Sequence, residues 1–333
     1  MPSRARADRS RRTREALSRR AVAIAVVALL LIVDAVLIGL ALSGRDPEPS
    51  GATPQVEVVD DVAAEPSASP SAEPSAEPTA PPQPPATGAA QRVMTAIDGS
   101  TAWRVPTGPC PEAQVLPEVT RDAGAAWQPF DPSAETDLRS VQRLIVSSAE
   151  SIAIVGLAAD DCSPSLVRTY VGGIDWASYP EEVGSAWYIA DGGAGVHAPG
   201  GSVQPACPAG AVAISVSRTD SAAALCADGS VAATVDAGRT WGAPAALPGV
   251  QALALRSDGY LAAVLGGEGC AGVAIVALDR SGAAPTPVGC RAASGDAASL
   301  AGLIALSESS DGTLWLWAGD EVARSEDRGA TWL

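Results

Sequence analysis

Few residues of this sequence have the types and spacing that catalysis requires. Glycoside hydrolysis needs two carboxylates a few Å apart in a cleft, and Asp160-Asp161 and Glu181-Glu182 are adjacent acidic pairs that could supply them. Both pairs lie in predicted loops, where acidic side chains are usually solvated. The only histidine is His197, so Ser-His-Asp catalysis would have to run through it. We therefore expect no catalytic residues and predict that the chain is not an enzyme.

The six cysteines are the other residues that could form covalent bonds or bind a metal. An even number of cysteines favours disulfides in an oxidising compartment. No two of them stand in a CxxC pair, and a single histidine gives little support to a zinc site. We expect disulfides, no metal and no cofactor. The six are Cys110, Cys162, Cys207, Cys226, Cys270 and Cys290.

The amino-terminal region combines a basic cluster with an apolar run. Eight arginines stand within the first twenty residues, and every basic residue of the chain is an arginine. The run that follows is apolar apart from Asp34 and Gly39. As a helix it would span roughly 33 Å, which suits a hydrocarbon core of about 30 Å. We predict a basic cytoplasmic tail over residues 1–20 and one transmembrane helix over residues 21–43, oriented by the positive-inside rule.

A cleaved signal peptide is the alternative interpretation of this region. Small residues surround Ser43, as they do at signal-peptidase sites, and cleavage there would secrete the remainder. The apolar run is longer than a usual signal core. We therefore predict an uncleaved anchor in the cell membrane, with everything after it outside the cytoplasm.

The chain as a whole is acidic, with a formal net charge of −16. Phosphate binding needs a basic surface, so the outer part is not expected to bind nucleic acid. The partners that remain are the membrane, through the anchor, and a protein or glycan of the cell envelope.

Composition changes twice beyond the apolar run. Residues 44–91 are mostly Pro, Ala, Ser and Glu, so they cannot bury enough apolar area to fold. We predict a disordered, extended linker there. Residues 92–333 alternate short Val-, Ile-, Leu- and Ala-rich runs with Gly, Asp, Ser and Pro turns, which is typical of an all-β domain.

A repeat organises this domain. Residues 120–127, 234–241 and 325–332 share the pattern Ser/Thr-x-Asp-x-Gly-x-x-Trp. Residues 169–176 fit loosely with Val171 at the Asp position, and residues 277–282 keep only the Asp and a nearby Gly. The Asp, Gly and Trp shared by the three good copies are Asp122, Gly124 and Trp127; Asp236, Gly238 and Trp241; and Asp327, Gly329 and Trp332.

These stretches resemble the Asp-box (BNR) repeats of sialidase-like β-propellers. The resemblance implies an all-β propeller over residues 92–333. Spacings of 43 to 65 residues between successive copies approach the length of one four-stranded blade. We expect about five blades and an insertion around residues 178–205. The last copy stands next to Leu333, so either an earlier segment closes the ring or the last blade has three strands.

The resemblance also implies the role of each repeat. The box is expected between the third and fourth strands of a blade, with its Asp and Gly shaping the turn and its Trp packing the turn against its own sheet. The cysteines would then lie near the opposite face, in turns between second and third strands and, for Cys207 and Cys290, in connections between blades. Fifteen pairings are possible, and we expect Cys110–Cys162, Cys207–Cys226 and Cys270–Cys290.

Sialidase activity is the enzymatic alternative that the resemblance raises. That family uses three arginines, a Tyr/Glu nucleophile pair and an early Phe/Tyr-Arg-Ile-Pro motif, and no such motif occurs here. We therefore predict a non-catalytic binding or scaffolding module. Aromatic residues are enriched at recognition sites, and Tyr179, Trp187 and Tyr188 in the expected insertion are the candidate binding residues.

Overall fold

The computed structural model describes residues 85–333. The predicted cytoplasmic tail, the transmembrane helix and most of the linker lie outside the described residues. Within residues 85–333, no helix has the length and apolar character needed to cross a membrane.

Short antiparallel strands make up this part of the chain. They form six separate sheets, which we number as blades 1 to 6 in chain order. Blade 1 contains β1 (Arg92–Ala96), β2 (Ala102–Pro106), β3 (Glu118–Thr120) and β4 (Gln128–Pro129). Blade 2 contains β5 (Leu138–Val146), β6 (Ile152–Ala158), β7 (Pro164–Thr169) and β8 (Ala177–Ser178). Blade 3 contains β9 (Tyr188–Ala190), β10 (Gly195–His197) and β11 (Val203–Gln204).

The remaining blades follow the same antiparallel plan. Blade 4 contains β12 (Ala211–Val216), β13 (Ala222–Cys226), β14 (Ser230–Thr234) and β15 (Ala245–Ala246). Blade 5 contains β16 (Val250–Arg256), β17 (Gly259–Leu265), β18 (Gly272–Leu278) and β19 (Thr286–Ala292). Blade 6 contains β20 (Ile304–Glu308), β21 (Leu314–Ala318) and β22 (Glu321–Ser325). One short helix, α1 (Ala297–Leu300), and 3-10 turns at Pro132–Ala134, Pro180–Ser185 and Asp191–Gly193 complete the elements.

The six sheets close into a ring. The first strand of each blade packs against the first strand of the next, in the order β1, β5, β9, β12, β16, β20 and back to β1. Radial repetition of this kind leaves only short sheet edges exposed. The chain is therefore a six-bladed β-propeller, and the expectation of an all-β propeller is confirmed.

The expectation of five blades was wrong. Residues 188–204, placed in an insertion by the sequence, form the whole of blade 3. Blade 3 carries no copy of the repeat, and its three strands are only two or three residues long. The 65-residue interval between Val171 and Asp236 therefore holds one complete extra blade.

Burial explains why the second strands lack polar alternation. Every residue of β13, β17 and β21 is buried, because each of these strands is covered on both faces by the neighbouring blades. All six interfaces between blades contain mainly apolar side chains packed in this way, and the smallest of these clusters lies between blades 2 and 3. Burial of one such large side chain contributes about 1.5–3 kcal/mol.

Blade 6 meets blade 1 without exchanging a strand. The Gly99 amide donates to the Asp311 carboxylate at 2.9 Å, and the Trp315 indole N–H donates to the Asp98 carbonyl at 3.0 Å. Blade 6 has three strands, and Leu333 exchanges two backbone hydrogen bonds with Arg324 on β22. Of the two closures that the sequence left open, the three-stranded last blade is the one observed.

The three disulfides pair as expected. Cys110–Cys162 joins blades 1 and 2, Cys207–Cys226 ties the connection after blade 3 to blade 4, and Cys270–Cys290 lies within blade 5. The predicted position of Cys290 in a connection between blades was wrong, because Cys290 lies inside β19. Closing loops of about 20 to 50 residues stabilises the fold by about 3–4 kcal/mol per bridge.

Candidate binding surface

The repeat builds a self-contained turn after the third strand of its blade. In blade 1 the Thr120 hydroxyl donates to an Asp122 carboxylate oxygen at 2.8 Å and accepts the Gly124 amide at 2.9 Å. The same carboxylate oxygen accepts the Ala126 amide at 2.9 Å. Gly124 has φ of +88°, a conformation that favours glycine. We call residues 120–127, 169–176, 234–241, 279–284 and 325–332 the motif turns.

The aspartates of the motif turns are engaged within their own turns. Hydrogen bonds from the hydroxyl and the amide of Thr240 lower the pKa of Asp236 to about 2. Thr331 does the same for Asp327, whose pKa is also about 2. Hydrogen bonds from Ala126 and Thr120 lower the pKa of Asp122. These carboxylates therefore shape turns, as Asx and Ser/Thr turns do.

The tryptophans of the motif turns pack against the preceding blade. Trp127 of blade 1 contacts Trp315 of blade 6 edge to face, with ring centroids 6.4 Å apart. Trp241 of blade 4 contacts Trp187 of blade 3 in the same way at 6.3 Å. Trp127 also packs against its own blade, with the Arg104 guanidinium 4.0 Å from its ring centroid. The expectation that each Trp packs against its own sheet was therefore incomplete, because these rings also contact the preceding blade. These rings seal the interfaces between neighbouring blades.

Two of the three candidate binding aromatics are engaged inside the fold. Trp187 is only 2% exposed and lies in the core between blades 3 and 4, which leaves no surface for a ligand. Its placement at a binding surface was wrong. Tyr188 stacks on His197 with ring centroids 4.2 Å apart, and the His197 ring nitrogen Nδ1 is 3.0 Å from the Ala186 carbonyl. His197 is buried and makes this structural contact.

Tyr179, the third candidate, borders an exposed apolar turn. Tyr170 is 56% exposed, Val171 49% and Ile174 78%, and Tyr170 contacts Tyr179 edge to face at 6.4 Å. Arg168 lies near both tyrosine rings and donates to the Tyr170 hydroxyl at 2.9 Å. We call residues 170–174 the apolar turn. It is the motif turn of blade 2, with valine where the other turns carry aspartate.

A cleft opens between blades 4 and 5 on the face that carries the motif turns. It has a volume of about 230 Å³, and its lining includes Arg218, Tyr260 and Arg280. A shallower groove of about 390 Å³ continues past Val235 and Arg280 to Thr240. In the blade 5 turn, Ala284 stands five residues after Asp279, where Trp stands in the motif turns of blades 1, 4 and 6.

The acidic pairs show no catalytic arrangement. Asp161 accepts the Ser163 amide at 2.8 Å within its turn. Glu182 forms an ion pair with Arg168 at 2.7 Å. Within residues 85–333, no three His, Cys, Asp or Glu side chains converge as the ligands of a metal ion would.

Sequence reasoning missed both the apolar turn and the cleft. The available signal was a departure from the repeat: Val171 replaces Asp in one motif turn, and Ala284 replaces Trp in another. The turn with Val171 exposes apolar side chains where the regular turns have an aspartate. The turn with Ala284 lacks the Trp that the regular turns place against the preceding blade. The irregular copies, rather than the regular ones, mark the candidate binding surface.

Comparison with known proteins shows likeness of fold alone. No protein-family model matches the chain, and no curated protein does. The structure of YCF48 from Cyanidioschyzon merolae is 19% identical, with 76% of this chain and 87% of that chain covered and a TM-score of 0.38. AofleA from Arthrobotrys oligospora is 9% identical, with 74% and 85% covered and a TM-score of 0.45. A GH74 xyloglucanase from Xanthomonas campestris is 17% identical, with 72% and 37% covered and a TM-score of 0.30. At these identities and TM-scores, none of the three assigns an activity or a partner to this chain.

Proposed function

We propose that the chain is a non-catalytic binding module, held outside the cytoplasmic membrane by residues 21–43, that docks an envelope protein through its motif-turn face. The motif turns are, in this proposal, Asp-box (BNR) repeats. The observation that carries the proposal is the apolar turn, which exposes three adjacent large apolar side chains, Tyr170, Val171 and Ile174. Contiguous exposed apolar surface of this kind typically marks a protein interaction site.

The path of residues 85–91 supports this choice of face. The Thr87 hydroxyl donates to the Val250 carbonyl at 2.7 Å, and the Gln91 amide donates to the Gly302 carbonyl at 3.0 Å. Val250 pairs with Val264, at the opposite end of β17 from Tyr260, which pairs with Leu278 just before a motif turn. Residues 85–91 therefore lie on the face opposite the motif turns and cover none of the motif-turn face.

The non-catalytic part of the proposal rests on how the candidate groups are engaged. The motif-turn carboxylates accept hydrogen bonds from their own turns, and Glu182 pairs with Arg168. A sialidase-like nucleophile would need a tyrosine beside a glutamate. Among the described residues no tyrosine hydroxyl is hydrogen-bonded to a glutamate, because Arg168 donates to both the Tyr170 hydroxyl and Glu182 and so separates them.

Site-specific photocrosslinking in native membranes tests the proposed function. A crosslinker beside Ile174 in the full chain should capture one partner protein, and Tyr170→Ser with Ile174→Ser should reduce that product severalfold. Val203→Ser is the matched control, because Val203 is also an exposed apolar residue but lies on blade 3. Equal loss in the control, or no loss in the double variant, would rule out the apolar turn. Hydrolysis of a fluorogenic sialoside would rule out a non-catalytic module.

A further inference from the structure

The cleft between blades 4 and 5 contains two arginines that form no ion pair with any described residue. Arg218 and Arg280 line the cleft, and neither takes part in any ion pair formed among residues 85–333. Asp220 is the one carboxylate in the lining, and it already accepts the Ser221 hydroxyl at 2.8 Å. The cleft is therefore a locally cationic site on an acidic protein.

Tyr260 places an unused hydrogen-bond donor in the same cleft. Its side chain is 2% exposed and lines the cleft. Burial raises the pKa of the phenol to about 12 and nearby Arg280 lowers it, while no hydrogen bond within the described propeller contributes. The hydroxyl is therefore protonated at neutral pH and free to donate. A phenol hydroxyl that lines a cleft and makes no hydrogen bond among residues 85–333 is available to donate to a bound ligand.

We propose that this cleft binds the carboxylate of an acidic side chain on an extended peptide segment of the partner protein. Two guanidinium groups and one phenol supply donors, and charge-assisted bonds of this kind are the strongest that carboxylates accept. The groove lined by Val235, Thr240 and Ser281 continues from the cleft and accommodates neighbouring residues of the peptide. The inference rests on the proposed function, since it assigns a contact of the same motif-turn face.

The interface that carries the cleft lacks the tryptophan ring that other motif turns supply. The motif turns of blades 1 and 4 place a Trp against the preceding blade. In blade 5, Ala284 takes that position, and the turn instead brings Gly282 close to Val231 of blade 4. No aromatic ring fills the space beside Tyr260 in the described interface between blades 4 and 5.

Calorimetric titration of the detergent-solubilised full chain with blocked pentapeptides tests this inference. A peptide with a central glutamate should bind, and the same peptide with glutamine should bind about tenfold more weakly or not at all. Arg280→Gln should weaken binding of the glutamate peptide about tenfold, because it removes a charge-assisted bond. Tyr260→Phe should weaken it severalfold with the thermal unfolding midpoint unchanged, because the hydroxyl has no partner within the fold.

Arg328→Gln is the matched control. Arg328 follows Asp327 as Arg280 follows Asp279, but Arg328 does not line the cleft, and its turn has Trp332 where the blade 5 turn has Ala284. This variant should bind the glutamate peptide like the parent chain. Equal binding of the two peptides, equal loss in the control, or binding of inorganic phosphate without the glutamate peptide would overturn the inference. Absence of glutamate-peptide binding with the membrane crosslink intact overturns this inference alone. A crosslink that does not depend on Ile174, with glutamate-peptide binding intact, overturns the apolar turn as the docking site and leaves the cleft as a carboxylate site.

Discussion

At the scale of single residues, the motif-turn aspartates link the stability of the propeller to pH. The pKa values of Asp236 and Asp327, and of Asp311 in the turn between β20 and β21, lie at about 2, below the ordinary value of 3.8, because hydroxyl and amide groups donate to the ionised carboxylates. A lowered pKa in the folded state contributes stability that is present above the unfolded pKa and is lost as pH falls through the folded value. The window of this loss therefore lies from about pH 4 to about pH 2.

We expect the thermal unfolding midpoint to be nearly constant above about pH 5 and to fall between about pH 4 and pH 2. The variant Asp236→Asn with Asp327→Asn should have a lower midpoint at neutral pH, because the ionised acceptors of Thr240 and Thr331 are lost. The variant should also lose less stability on acidification. Circular dichroism melts at several pH values measure both effects, and an unchanged acid sensitivity in the variant would contradict this explanation.

At the scale of elements, the tryptophans between blades hold neighbouring sheets together. Trp187 is fully packed between blades 3 and 4 against Trp241. Trp187→Ala should lower the free energy of unfolding by about 3–5 kcal/mol, because it leaves a cavity in a close-packed interface. Tyr170→Ala, at a half-exposed tyrosine, should change it by about 0.5 kcal/mol or less. Urea denaturation of the two variants measures both changes in the free energy of unfolding. A small effect of Trp187→Ala would mean that blade 3 packs loosely against blade 4.

The elements also show how far the sequence could predict this fold. Three copies of Ser/Thr-x-Asp-x-Gly-x-x-Trp predicted a propeller, because each turn is encoded locally by hydrogen bonds within eight residues. Blade 3 was missed because its strands β9 to β11 are short and carry no such turn. The packing of side chains between blades was harder to predict than the turns. The sequence indicated that Trp127 and Trp241 pack against a sheet, but it does not encode that the preceding blade receives each ring.

The same limit explains the candidate site. The cleft joins Tyr260 and Arg280 of blade 5 to Arg218 of blade 4, and these residues meet only when the two blades pack side by side. A local pattern cannot report such a meeting. It does report irregular copies, and both Val171 and Ala284 were readable as departures from the repeat.

At the scale of the whole molecule, the decisive question is whether residues 21–43 remain attached to the propeller. We expect an uncleaved anchor, because the apolar run is long enough to span a bilayer and a basic cluster precedes it. The protein should therefore resist alkaline extraction from membranes, and its intact mass should equal the full 33.3 kDa. Substituting Asp34→Leu removes the one charge in the run and should leave both results unchanged.

Cleavage after Ser43 makes the opposite prediction. The protein would appear in the medium, and sequencing of its amino terminus would begin at Gly44. That result would contradict the anchor while leaving the disulfide-bonded propeller intact, because the linker separates the two regions in sequence. The crosslinking test at Ile174 would then be done in solution, because the propeller would no longer be attached to a membrane anchor. The release of the propeller would change where the partner is met, but not which face of the propeller meets it.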